Sequence, residues 1–195
     1  TLNGGGELVA FIPDTGGKIG SVSVSRERLT AHANSPDSRY LAAADTNGTI
    51  FLWETAPRTL ARTLNYGGAP GSFVRTLTFS PDGQRLAVAV ASENTPDAIY
   101  IFGLADGTIQ TSIQGLSDTR PRRLAFSPDG GLLAVGLLPE QDSDRLRVYE
   151  SATGALRFSG TDAVLGAWQG IIFSPDGRFV GALSEVDALF IYGAD

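Results

Sequence analysis

Apolar and polar residues alternate along most of this chain, in short runs separated by turn-forming residues. Alternation with a period of two places successive side chains on opposite faces of a β-strand. Thr76-Leu77-Thr78-Phe79 is a clear instance. The same reading predicts strands at Leu29–Asn34, Tyr40–Ala44, Thr49–Trp53 and Thr59–Leu64. It continues with Val74–Phe79, Arg85–Ala91, Ala98–Phe102 and Thr108–Ile113, then Arg123–Phe126, Leu132–Leu137, Leu146–Tyr149 and Ala155–Phe158. Gly170–Phe173, Phe179–Leu183 and Ala188–Tyr192 complete the series. Glu7–Ile12 and Lys18–Val24 are expected as two further strands, with Thr1–Gly6 as a loose end or loop before them. No stretch shows helical periodicity, so the expected class is all-β.

The runs are organised around a recurring corner. Phe79-Ser80-Pro81-Asp82-Gly83 returns as Phe126-Ser127-Pro128-Asp129-Gly130 and Phe173-Ser174-Pro175-Asp176-Gly177, after a degraded copy, Asn34-Ser35-Pro36-Asp37-Ser38. The serines are spaced 45, 47 and 47 residues apart. A period of roughly 40–45 residues marks propeller blades of four strands each. Serine and aspartate supply local hydrogen bonds, proline presets φ, and glycine takes the left-handed position of a tight hairpin. A structural role for the corner aspartates is therefore expected, not a chemical one.

The third strand of each unit repeats an apolar-x-apolar-aromatic pattern. It reads Ile50-Phe51-Leu52-Trp53, Ile99-Tyr100-Ile101-Phe102, Leu146-Arg147-Val148-Tyr149 and Leu189-Phe190-Ile191-Tyr192, and Leu8-Val9-Ala10-Phe11 fits it too. An aromatic ring at one fixed place per unit wedges neighbouring sheets together. Together with the stretches Thr76–Ala89 and Asn47–Glu54, these residues resemble the WD40 repeat family, from Glu7 to Tyr192. Trp53-Glu54 stands where that family has its Trp-Asp pair. The family's Gly-His dipeptide is missing from every unit, so its Asp–His–Ser/Thr–Trp tetrad cannot form. That departure brings the chain nearer the divergent bacterial propellers with TolB- or YVTN-like repeats. The resemblance implies a β-propeller of four-stranded antiparallel blades serving as a binding scaffold.

The units fall at about 7–24 (half), 27–65, 72–114, 120–160 and 168–193 (incomplete), within one propeller domain or fragment spanning 1–195. This makes about four blades from seventeen strands, one strand too many for a closed four-bladed disc. Glu7–Ile12 and Ala188–Tyr192 compete for one third-strand place. Open sheet edges are usually eliminated by closing the ring, so the expectation is membership of a larger ring, or a second chain that completes it. The sequence contains no methionine, position 1 included, which fits a processed or excised piece.

Composition narrows the function. A formal charge of −6 argues against general binding to nucleic acid phosphates. No apolar run has the roughly 18 residues needed to cross a bilayer as a helix. The absence of cysteine rules out disulfides, thiolate catalysis and cysteine-held metals. His32 is the sole histidine, which leaves no histidine metal cluster. A Ser–His–Asp site would have to use it, and no Gly-x-Ser-x-Gly elbow is present. Gly16-Gly17-Lys18-Ile19 lacks the Gly-Lys-Ser/Thr of a phosphate loop. Glu140-Gln141-Asp142-Ser143-Asp144 lacks the glycine and distal glutamate of a calcium loop.

Two groups of residues stand out. His32 and Asn34 occupy places that are apolar in the other units, so they are a candidate atypical polar site or a sign of a degenerate unit. Arg120, Arg122 and Arg123 precede a first strand, on the rim expected to carry the loops Ser92–Asp97 and Pro139–Asp144. Those loops bring Glu93, Asp97, Glu140, Asp142 and Asp144 to the same rim. Function on repeat folds concentrates in such variable loops. The expected function is a non-catalytic scaffold that binds a protein partner on this rim, with no cofactor or metal. The rival is a propeller attached to or gating an enzyme, or holding a small ligand in its channel.

Overall fold

A β-strand that buries one or both faces needs neighbours, and the alternation here is satisfied by five antiparallel sheets in chain order. The computed structural model describes residues 2–3, 7–11, 18–23, 25–68, 70–116, 119–139, 146–160, 168–184 and 188–194. The first sheet holds β1 (Leu2–Asn3), β2 (Glu7–Phe11) and β3 (Lys18–Ser23). The second holds β4 (Leu29–Asn34), β5 (Tyr40–Asp45), β6 (Ile50–Glu54) and β7 (Leu60–Leu64), and the third β8 (Phe73–Phe79), β9 (Arg85–Ala91), β10 (Asp97–Gly103) and β11 (Ile109–Leu116). The fourth is β12 (Thr119–Phe126), β13 (Leu132–Pro139), β14 (Leu146–Glu150) and β15 (Leu156–Gly160); the last is β16 (Trp168–Phe173), β17 (Phe179–Ser184) and β18 (Leu189–Gly193). Among the described residues there is no helix. This is an all-β propeller-type array.

Two sequence expectations change. Leu2–Asn3 is not a loose end but pairs with Glu7–Leu8, so the described residues form eighteen strands where seventeen were expected. Arg120–Arg123 is not a loop before the first strand but lies within β12. Pro121, which cannot donate a ladder hydrogen bond, is tolerated there because the register breaks between Pro121 and Arg123.

First strands of successive sheets lie side by side: β4 against β8, β8 against β12, and β12 against β16. They form the inner side of the array. The sheets then stack face on face. Ala42, Ile50 and Leu52 share a core with Phe79, Leu86, Val88 and Phe102 of the following sheet. Ala87, Ile99 and Ile101 likewise meet Phe126, Leu133, Val135 and Tyr149. Ala134, Leu146 and Val148 meet Phe173 and Val180. The rings of Phe79, Phe126 and Phe173 are 7%, 9% and 7% exposed, so the expectation that they wedge sheets together holds.

Each corner closes by its own hydrogen bonds. Ser80 Oγ donates to Asp82 Oδ1 and accepts from the Arg85 N–H at 2.9 Å, while Asp82 Oδ1 also accepts from the Gln84 N–H at 3.0 Å. Ser127 and Asp129, and Ser174 and Asp176, repeat the arrangement. The glycine takes φ of 68°, 73° and 74° at Gly83, Gly130 and Gly177. In the degraded copy Ser38 adopts φ 60° in its place, so the corner survives the loss of glycine at some steric cost.

Candidate functional site

The four first strands share an irregularity that the polar pattern alone does not reveal. Pairing with the second strand skips one residue between Leu29 and Ala31, Val74 and Thr76, Pro121 and Arg123, and Trp168 and Gly170. Thr30, Arg75, Arg122 and Gln169 are therefore bulged residues, each five positions before its corner serine. A bulge leaves its extra residue unpaired and re-aims its side chain. In two neighbouring blades that residue is an arginine.

Arg75 and Arg122 sense each other, and Arg120 adds its charge to theirs. Burial is the largest influence on Arg75 and pulls its guanidinium below the ordinary value; Asp97 opposes this, while Arg122 and Arg120 reinforce it. Arg75 Nε lies 3.6 Å from Asp97 Oδ2, too far for a hydrogen bond but within ion-pair range. The Arg75 guanidinium also lies over the Phe73 ring, 5.0 Å from its centre. Arg122 Nε is buried without a hydrogen-bond partner. Arg75 thus has one carboxylate within ion-pair range and two further guanidinium groups near enough to act on its charge. Buried, weakly screened guanidiniums interact more strongly with an incoming anion than exposed ones do.

The other rim residues are placed as follows. Asp97 opens β10 and is only 8% exposed, so it is an internal counterion and not a free rim charge. It also accepts from the Ser92 N–H at 3.4 Å, which ties the loop Ser92–Pro96 to the partner of Arg75. Glu93 is exposed on that loop. Arg120 and Arg123 are exposed, but Arg123 Nε donates to Gln169 O at 2.8 Å and braces β12 against β16. Glu140, Asp142 and Asp144 lie outside the described residues. Arg75 was missed in the sequence because it sits mid-strand; its fixed offset from Ser80, shared with Arg122 from Ser127, was the available signal.

Beside the same loop lies a cleft of about 490 Å³, lined by Tyr66, Val90, Ser92, Thr95, Pro96 and Tyr100 among others. Tyr66 and Tyr100 stack with ring centres 5.6 Å apart. Burial, then the proximity of Tyr100 and Asp45, raises the Tyr66 hydroxyl above its ordinary value.

His32 and Asn34 do not form a shielded site. Both side chains are exposed on β4, which explains how polar residues are accepted at these places. Among the described residues no three His, Asp or Glu side chains come together in a way that could hold a metal ion.

Comparison with known proteins agrees with this fold. A family model described as "WD domain, G-beta repeat" matches residues 16–54. No curated protein matches the chain. Among solved structures, Kuenenia stuttgartiensis Hydrazine Synthase is similar, with a TM-score of 0.77 and 21% identity over 92% of this chain. The match takes in 50% of that chain, so this protein spans half the length of its structural relative. Because 1348 chains of known structure match, likeness of fold does not single out a partner. The chain carries WD40-like repeats in a propeller-type fold.

Proposed function

We propose that this protein is a non-catalytic WD40-like scaffold that holds an acidic segment of a partner protein against Arg75, Arg120 and Arg122. The observation that carries the reading is a pair of bulged arginines in neighbouring blades, of which Arg75 has Asp97 within ion-pair range while Arg122 Nε is buried without a hydrogen-bond partner. Arg75, Arg120 and Arg122 are a local cluster of positive charge in a chain with formal charge −6, suited to steering an acidic segment into register. Planar guanidiniums donate to carboxylates in bidentate geometry, which favours side chains of Asp and Glu or a chain terminus. The tyrosine-lined cleft beside Ser92–Pro96 offers an apolar anchor next to the charge. A Ser–His–Asp site would have to use His32, and its exposed place on β4 gives such a group no shelter from water.

One observation favours a second reading. The chain spans half of a structurally similar chain, which supports a propeller that serves as one portion of a larger protein, attached to or gating an enzyme.

The test of the first reading is fluorescence anisotropy with a labelled oligoglutamate peptide and an oligolysine control. The expected result is binding of the acidic peptide only, weakened by added salt and about tenfold or more by Arg120→Glu with Arg122→Glu. Circular dichroism and the melting temperature check that the variant is folded, and Arg120→Glu alone covers the case where it is not. Equal affinity in wild-type and reversed protein sinks the reading, as does loss of binding through Asp82→Asn at the opposite corner.

A further inference from the structure

The last sheet presents a bare apolar face. Ile172, Leu189 and Ile191 are 71%, 66% and 68% exposed, and Phe179 and Leu183 are exposed beside them. These five residues lie on one side of the sheet, because Ile172 pairs with Gly181, Gly181 with Ile191, and Leu183 with Leu189. The three strands Trp168–Phe173, Phe179–Ser184 and Leu189–Gly193 contain no charged residue. Contiguous exposed apolar surface of this kind marks an interaction site.

The molecule itself indicates what covers such a face, because it covers the equivalent one three times. Leu189 and Ile191 correspond to Ile50 and Leu52, Ile99 and Ile101, and Leu146 and Val148, all of which are buried. In every case the cover is the next blade. The aromatic just before that blade's corner shares a core with the small residue at the centre of the preceding second strand. Phe79 does so with Ala42, Phe126 with Ala87 and Phe173 with Ala134. Gly181 holds that central place in the last sheet. A Cβ added there would already touch Ile172 and Leu189, at 3.7 Å and 4.0 Å from their nearest side-chain atoms. Gly181 thus leaves out the methyl group that Ala42, Ala87 and Ala134 carry at this place, with Ile172 and Leu189 flanking the position.

From this continuity with the three established interfaces we infer that the open face of β16–β18 docks a further blade of the same repeat. That blade lies outside the strands described, and inserts an aromatic ring over Gly181. Its recognising chemistry is a β-sheet face with an aromatic before a Ser-Pro-Asp-Gly corner, flanked by Leu or Val from the second strand. A charged or highly polar partner is disfavoured, since the face has no charge to meet it.

The experiment extends the chain in register. Gly103 and Gly193 occupy the same place in their units and Asp195 that of Ala105, so a second copy of residues 106–160 placed after Asp195 supplies the fourth strand and a whole blade carrying its own Phe126. Binding of an apolar dye and thermal melting are compared in the natural and extended chains, with light scattering on both. Docking predicts that dye binding falls on extension, and that Leu189→Asp with Ile191→Asp lowers the melting temperature of the extended chain only. Phe126→Ala in the appended copy alone should restore the dye signal. Because Leu189 and Ile191 are exposed in the natural chain, the variant is expected to fold there, and Leu189→Ser is the milder control. Unchanged dye binding on extension overturns the inference. So does a dimer of the natural chain that Leu189→Asp dissolves, since the occupant would then be a second copy.

Discussion

Leu146 and Val148 on β14, and Leu189 and Ile191 on β18, occupy the same positions of the same repeat, yet the first two are fully buried and the last two lie open. Their registers match: Ala134 pairs with Val148 as Gly181 pairs with Ile191. The local sequence pattern is apolar-x-apolar-aromatic in both. The difference comes wholly from what stands opposite. Phe173 and Val180 cover β14. Burial of an apolar strand face is thus a property of the pair of blades, while its capacity to be buried is a property of one. A hydrophobic residue contributes stability only to the extent that it leaves water.

The wedge ring should show the largest effect. Phe126→Ala removes a buried ring from between the third and fourth sheets, where Arg85 also lies over it at 5.4 Å, and should cost about 3–5 kcal/mol. Chemical denaturation measures this, and an unchanged midpoint would mean that the ring is not structural. Arg85 adds to the joint by donating to Gly130 O and Ser151 Oγ at 2.7 Å and 2.9 Å, so the loss is expected to spread across both blades.

The comparison itself is put at risk by a matched pair. Leu146→Ala should cost about 2–5 kcal/mol, whereas Leu189→Ala should stay within about 0.5 kcal/mol. Equal losses at the two positions would show that β18 is covered in solution, and would direct attention to whatever covers it.

The smallest effect is expected at the corners, which recur without regard to what their blades face. Asp176 is held at about 2 by the Ser174 hydroxyl first, and then by the Arg178 side chain and its N–H. Asp37, Asp82 and Asp129 are lowered too, each chiefly by its serine hydroxyl. A carboxyl whose folded value lies below its ordinary one stabilises the fold fully above the ordinary value. That stabilisation disappears as pH falls through the folded value. Melting temperature should therefore drop modestly from about pH 4 to pH 2, and by less in Asp82→Asn and Asp176→Asn. A slope that is identical in wild type and both variants would remove the corners from the account. These carboxylates are exposed, so solvent screening keeps the effect small.

The corners were legible in the sequence because their bonds close locally. Ser80, Asp82, Gly83 and Arg85 satisfy one another within six residues, and any chain with that order of residues can do the same. The Phe wedges were legible from repetition. The arginine site was only half legible. Arg120, Arg122 and Arg123 announced themselves as a charge cluster, but Arg75 lies 47 residues from Arg122 and looked like a strand residue among others. Its importance depends on a bulge, which is a fact about two paired strands. Asp97 looked like a loop carboxylate, but it turned inward because Arg75 lies within ion-pair range.

By itself, then, the sequence determined the repeat, the corner chemistry, the all-β class and which strand faces are apolar, since these follow from local hydrogen bonding and side-chain period. Tertiary structure alone decided which apolar faces are covered, that Arg75 pairs with Asp97 and feels the charge of Arg122, that Arg123 braces β12 to β16, and that His32 and Asn34 face solvent. The physical reason is range. A turn is closed by residues a few positions apart, whereas desolvation of a face or a guanidinium depends on atoms that another blade, some 45 residues away, brings up against it.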